Sequence, residues 1–178
     1  MTPEIEAAIL RAVTRTGPDV ALVRALVEVE SSGNPWAWNP EPRYRYFWNV
    51  KTDAPFRRVT EAEIASPYPP ADFHARAGDP DQEWWAQQAS FGLMQVMGAV
   101  ARERGCRLAY LTELCAPAVN LEIGYDHLAR QLDWARGDVE RALAAYNGGR
   151  AGNATRPFRN ASYAAKVLTV LRDARRSP

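Results

Sequence analysis

Apolar residues recur every three to four positions over most of this chain, and where that rhythm holds it predicts helices. Thr2-Pro3-Glu4 reads as N-cap, N1 proline and first-turn acid, with Ile5, Ile9 and Val13 on one face and Gly17-Pro18 as the stop. Asp19 caps a second helix in which Leu22, Leu26 and Glu30 follow the i, i+4, i+8 spacing, with Val23 and Val27 beside them; Ser31-Ser32-Gly33-Asn34-Pro35 ends it. A third runs from about Pro117 to Arg136, with Leu121, Gly124 or Tyr125, Leu128 and Leu132 inward, and Gly137 closes it. Asp138 caps a fourth along Val139, Ala142, Leu143 and Tyr146, ending at Asn147-Gly148-Gly149. Asn160 caps the last, in which Tyr163, Val167, Val170 and Leu171 face inward.

The rhythm fails between about Trp36 and Gln88, where Pro40, Pro42, Pro55, Pro67, Pro69, Pro70 and Pro80 sit among many aromatics. Within it, Arg43 to Trp48 reads as a short strand, Thr60-Glu61-Ala62-Glu63 as a capping box, and Asp79-Pro80-Asp81 as another helix start. After it, Ser90 to Met97 leads into a helix expected to continue through Arg104. The fold class this predicts is mainly α with little strand: residues 1–178 as a single compact helical domain with a Pro- and aromatic-rich insertion at 36–88.

One polar residue breaks the apolar stripe of the second helix. Glu30 projects from the face that the helix buries, whereas Glu28 falls on the other side. Burial and the negative end of the helix dipole both favour its protonated form, which is what general-acid chemistry requires near neutral pH. An exposed, idle glutamate at a frayed helix end fits the same letters. Trp36, Trp38, Tyr44, Tyr46, Trp48, Trp84 and Trp85 likewise admit two readings, platforms for sugar rings or a satellite core that folds the insertion.

Composition narrows the classes. The 178 residues, 47% hydrophobic and 24% charged, suffice for a sizeable core, and a net charge of +1 argues against nucleic acid as the main partner. The stretch from Arg150 through Arg156, Arg159, Lys166, Arg172, Arg175 and Arg176 is nonetheless basic. No apolar run approaches transmembrane length, and Met1 to Val20 lacks the uninterrupted apolar region of a signal peptide. Cys106 and Cys115 fit a small disulfide loop or two reduced thiols equally well, and with His74 and His127 they make no credible zinc set.

Four motifs in order change the picture: Glu30-Ser31 with Asn34-Pro35, then Gly92-Leu93-Met94-Gln95, then Ala144-Ala145-Tyr146-Asn147-Gly148-Gly149, then Tyr163 before Lys166-Val167-Leu168. Together they closely resemble the soluble lytic transglycosylase catalytic domain of the lysozyme-like superfamily, over roughly Pro18 to Leu171. Asn120-Leu121 with Gly124 and Leu128 matches that family's helix between the second and third motifs. The chain departs from the family in reading Gly148-Gly149-Arg150 where Ala-Gly-Pro is usual, and in the length of its insertion.

The resemblance implies that Glu30 is acid and base, and that the Tyr163 hydroxyl orients it. It implies that Ser31, Met94, Gln95, Tyr146 and Asn147 bind the sugar chain, with no metal or cofactor. The substrate implied is the peptidoglycan glycan strand, cut between N-acetylmuramic acid and N-acetylglucosamine with closure of a 1,6-anhydro ring, by the substrate-assisted exception to the two-carboxylate scheme. The rivals are a hydrolase similar to goose-type lysozyme, with Asp53, Asp72 or Glu83 positioning a water, and a wall-binding module without chemistry. Action on the bacterial cell wall without a signal peptide resembles the wall-cutting enzymes that bacteriophages carry in the virion or release at lysis, which makes virion or tail proteins candidate partners. A chain trimmed of its leader is the alternative.

Overall fold

The computed structural model describes residues 1–13 and 17–176. Among them are eight α-helices; with two short 3-10 turns, helix makes up 54% of the described residues, against 7% strand, so the fold is mainly α. Two compact units are present: Met1–Gly33 with Gly124–Pro178, and Asn34–Ile123.

The first unit holds α1 (Pro3–Ala12), α2 (Val20–Ser31), α7 (Val139–Gly148) and α8 (Ala161–Arg176), and receives the chain through α6 (Pro117–Trp134). The caps read from sequence are in place: Thr2 Oγ1 accepts from the Ile5 amide, Asp19 Oδ1 from Leu22 at 2.8 Å, and Asp138 Oδ1 from Arg141 at 3.0 Å. Pairing of α2 with α8, and of α8 with α7, buries Leu22, Val23, Leu26 and Val27 together with Ala142, Leu143, Ala164 and Val167. Small residues on α7 and α8 permit that close approach. Helix α1 ends at Ala12; the expected stop at Gly17-Pro18 lies beyond residues 14–16, which are outside the described residues.

In the second unit, β1 (Trp38–Pro40), β4 (Ala89–Phe91) and β5 (Val96–Met97) form an antiparallel sheet in the order β1-β4-β5, with Trp38 opposite Phe91 and Phe91 opposite Val96. The expected strand at Arg43 to Trp48 shrinks to β2 (Trp48–Asn49), paired with β3 (Ala54–Pro55), because Phe47 turns inward to the core. Short helices α3 (Glu61–Ala65), α4 (Pro80–Gln87) and α5 (Gly98–Glu103) complete the unit. The Thr60–Glu63 capping box starts α3, as the sequence indicates.

The helix expected to continue through Arg104 begins at Gly98, as α5, and Ser90 to Met97 leads into it as strand and turn. Strands β4 and β5 are joined by a tight turn in which Gly92 (φ 73°) and Gln95 (φ 45°) are left-handed. Apolar Leu93 and Met94 are buried from the turn rather than from a helix face. Asn120 locks the turn from α6, its Oδ1 accepting from the Met94 amide at 2.8 Å and its Nδ2 donating to the Phe91 carbonyl at 2.7 Å. Only glycine fits at 92, since a Cβ there would stand 2.5 Å from Asn120 Nδ2 and 2.7 Å from the Leu114 carbonyl.

The insertion has its own core. Trp84, with no exposed surface, stacks on Phe47 at 4.0 Å between centroids and 2° between planes, while Phe73 meets it edge-on at 5.1 Å. Trp84 is therefore no sugar platform. The aromatics split residue by residue: Tyr44 and Trp48 are partly buried, and Trp36, Trp38, Tyr46 and Trp85 are exposed. Below this core the buried Arg102 guanidinium donates to both Glu83 oxygens (2.8 and 2.7 Å) and to the Cys106 and Leu108 carbonyls, tying down the loop after α5. Cys106 and Cys115 are both free thiols.

Candidate active site

Glu30 stands in the last turn of α2, partly buried, and one of its carboxylate oxygens accepts a hydrogen bond from the Tyr163 hydroxyl of α8. The two residues are 133 positions apart in sequence and meet because α2 packs along α8. Burial pushes the Glu30 carboxyl up to about 7, against the Tyr163 hydrogen bond and the Lys166 charge, which both pull it down. Reluctance to ionise thus comes from desolvation, tempered by two groups of one helix. Lys166 lies one turn beyond Tyr163 on α8, an i, i+3 relation legible in the sequence although its charge was not assigned to Glu30 there.

Two tyrosines feel the Glu30 charge. Burial, then the Glu30 charge, holds the Tyr163 phenol far above its ordinary value, and the same two causes raise Tyr146. Both therefore remain neutral hydroxyls across the working range. Tyr146, at the end of α7, packs against the His127 ring of α6 with centroids 5.0 Å apart. Sequence reasoning treated His127 only as a missing metal ligand; its packing role has no signal in the pattern.

The end of α7 is shaped by a residue that belongs to no sequence pattern. Asn153, fully buried, donates through Nδ2 to the Ala144 and Gly149 carbonyls and to Asn160 Oδ1, and accepts from the Asn160 amide at 3.0 Å. Asn160 in turn donates to Asn147 Oδ1 at 2.7 Å, leaving Asn147 exposed at the helix end. A Cβ at Gly148 would lie 2.0 Å from Asn160 Oδ1. The Gly148-Gly149 departure is thus matched to the asparagine pair beside it. Arg150, where the family pattern has proline, donates to Gln131 Oε1 and to the Arg130 carbonyl, both at 2.9 Å.

The remaining expected residues are placed as follows. Ser31 Oγ donates back to the Val27 carbonyl at 3.1 Å. Gln95 and Met94 belong to the second unit. There Gln95 Nε2 donates to the Gly92 and Ala37 carbonyls and its Oε1 accepts from Ser90 Oγ at 2.9 Å, so much of the amide is committed to holding the turn. Met94 is fully buried. Its side chain therefore has no surface to offer a sugar.

The acids named as water-positioning candidates all have arginine partners: Asp53 with Arg107, Asp72 with Arg57, and Glu83 with Arg102. Arg107 first, and the Trp48 indole second, hold Asp53 below the usual carboxylate range; Arg57 does the same for Asp72. A lowered pKa makes a poor general base.

A helical scaffold that keeps one carboxyl half-dry beneath a tyrosine hydroxyl suits acid–base chemistry on a bond brought to it. The transglycosylase SLT domain model matches residues 7–170, nearly the whole chain, and the chain belongs to that family. Its activity is accordingly peptidoglycan degradation of the lytic transglycosylase type, acting in the bacterial cell wall. No solved structure matches the chain. Among the described residues, no helix is long and apolar enough to cross a membrane.

Proposed function

We propose that this chain cleaves the β-1,4 bond between N-acetylmuramic acid and N-acetylglucosamine with Glu30 as general acid and then base, releasing 1,6-anhydro-muramic ends. Glu30 gives its proton to the leaving oxygen while the substrate's own N-acetyl oxygen supports the anomeric carbon. The resulting carboxylate then removes the proton of the C6 hydroxyl, which closes on that carbon and returns Glu30 to its starting state. Tyr163 orients the carboxyl, and Ser31, Tyr146, Asn147 and Gln95 each bind the glycan.

The observation that carries this proposal is the Tyr163–Glu30 hydrogen bond around a carboxyl poised at about 7. A group titrating near neutrality is populated in both forms, as a residue acting first as acid and then as base must be. Mass analysis of the sugar ends left on digested walls tests it. Anhydro-muramic ends, absent with Glu30→Gln, are expected; reducing ends that take up oxygen from labelled water would replace the reading with a hydrolase of the goose-type-lysozyme kind.

A further inference from the structure

A concave site lies within the second unit, apart from Gln95. A cavity of about 570 Å³ opens between α4, β1 and the residues after α5, walled by Trp38, Trp85, Phe91 and Tyr110 and carrying Gln82 and Thr112. That volume is within the usual range of small-molecule pockets, about 300–1,000 Å³. A second cavity of about 380 Å³ adjoins the same two tryptophans on the side of Pro40, Pro42 and Gln88. Trp38 and Trp85 thus stand between two hollows, 61% and 44% exposed.

The sheet register separates this site from the Gln95 turn. Side chains alternate faces along a strand, and Trp38 pairs with Phe91 while Asn39 pairs with Ser90. Trp38 and Phe91 therefore share one face, and Ser90, whose hydroxyl binds Gln95, points to the other.

The lining is built and uncharged. Trp85 is fixed by its indole N–H, which donates to the Pro67 carbonyl at 3.1 Å. The Tyr110 ring and Gln82 Oε1 close over Gly78, where a Cβ would meet them at 3.0 and 3.2 Å. The one carboxylate in the wall, Glu83, is closed off by Arg102. Large preordered indole faces beside a few amide and hydroxyl groups, without free charge, recognise a ligand that is amphipathic and neutral. A pyranose with one C–H face and equatorial hydroxyls has that character. Two hollows sharing one aromatic ridge fit consecutive rings of a linear chain.

We propose that the Trp38–Trp85 ridge is an accessory glycan-binding site that holds β-1,4-linked N-acetylhexosamine units on the face of the sheet away from Gln95. The choice of glycan rests on the family's peptidoglycan substrate but not on Glu30 as the acid.

The test is calorimetric and fluorescence titration of the full chain, carrying Glu30→Gln, with a β-1,4-linked hexamer of N-acetylglucosamine. Trp38→Ala and Trp85→Ala should each weaken binding about tenfold, the size of one lost aromatic face, with thermal melts unchanged. Trp38→Phe should retain binding and Trp38→Leu should weaken it about tenfold, as alanine does, since a stacking face and not bulk is required; this pair decides the matter even if an alanine variant unfolds. Titrations matching the parent in all tryptophan variants would overturn the site, as would tryptophan-dependent binding of a free wall stem peptide in place of the sugar. Undiminished cleavage in Glu30→Gln would count against the catalytic reading alone, because the affinity ratios among tryptophan variants do not depend on turnover.

Discussion

Glu30 is the carboxyl whose ionisation the fold resists, and its neighbours set how strongly. Replacement by glutamine keeps the shape and removes the proton, so wall cleavage should fall about 10²–10⁴-fold, whereas the exposed Glu28→Gln should cleave as the parent does. The same substitution has a stability signature. A carboxyl raised from 4.5 to about 7 in the folded state contributes its full stability below the unfolded value and loses it as pH rises through the folded one. At ~1.4 kcal/mol per pH unit, the parent should lose on the order of 3 kcal/mol across that window that Glu30→Gln does not lose. Urea unfolding of both proteins at each end of the window measures the difference, and parallel curves would refute it. Tyr163→Phe deletes a bond that lowers the Glu30 pKa. The alkaline limb of its pH–rate profile should therefore move to higher pH, with kcat reduced by up to about 10²-fold from lost orientation.

Elements here are fastened by buried side chains more than by their own propensities. Asn153 ties the end of α7 to the start of α8, and Asn153→Ala would strand the Gly149 carbonyl and the Asn160 amide. Each buried group left unpaired costs about 1–3 kcal/mol. A drop of that size in the urea-derived unfolding free energy is expected, with activity falling because Asn160 also holds Asn147. In the insertion, Trp84→Ala should cost about 3–5 kcal/mol, as for other buried aromatics. Trp36→Ala, 75% exposed, should stay within about 0.5 kcal/mol. Equal melting temperatures for the two variants would refute the stacked Phe47–Trp84 core.

For the whole molecule, the product follows from which nucleophile reaches the anomeric carbon first. A hydrolase needs a carboxylate free to activate water, and Asp53, Asp72 and Glu83 are each held by an arginine. Freeing one of them is itself a test. Arg107→Ala removes the largest influence holding Asp53 down, and if Asp53 takes no part in the chemistry, the ratio of anhydro to reducing ends should remain as in the parent. A shift toward reducing ends would bring the hydrolase reading back.

Much was legible in the letters because the physics behind it is local. The caps at Thr2, Asp19, Thr60 and Asp138 need only neighbouring residues, and the stripe of Leu22, Leu26 and Glu30 needs only helical periodicity, so α2 and its misplaced acid could be read directly. The four motifs, in order, carried the family. Packing between distant segments decided the rest. Glu30 meets Tyr163 through the α2–α8 contact, and Asn120 of α6 pins the Gly92 turn from far along the chain. Asn153 closes α7 from a loop with no pattern at all. Periodicity also cannot tell which of several tryptophans lies inside: Trp84 and Trp85 are adjacent in sequence, yet one is stacked in the core and the other is exposed, a choice made only by the helix phase against Phe47.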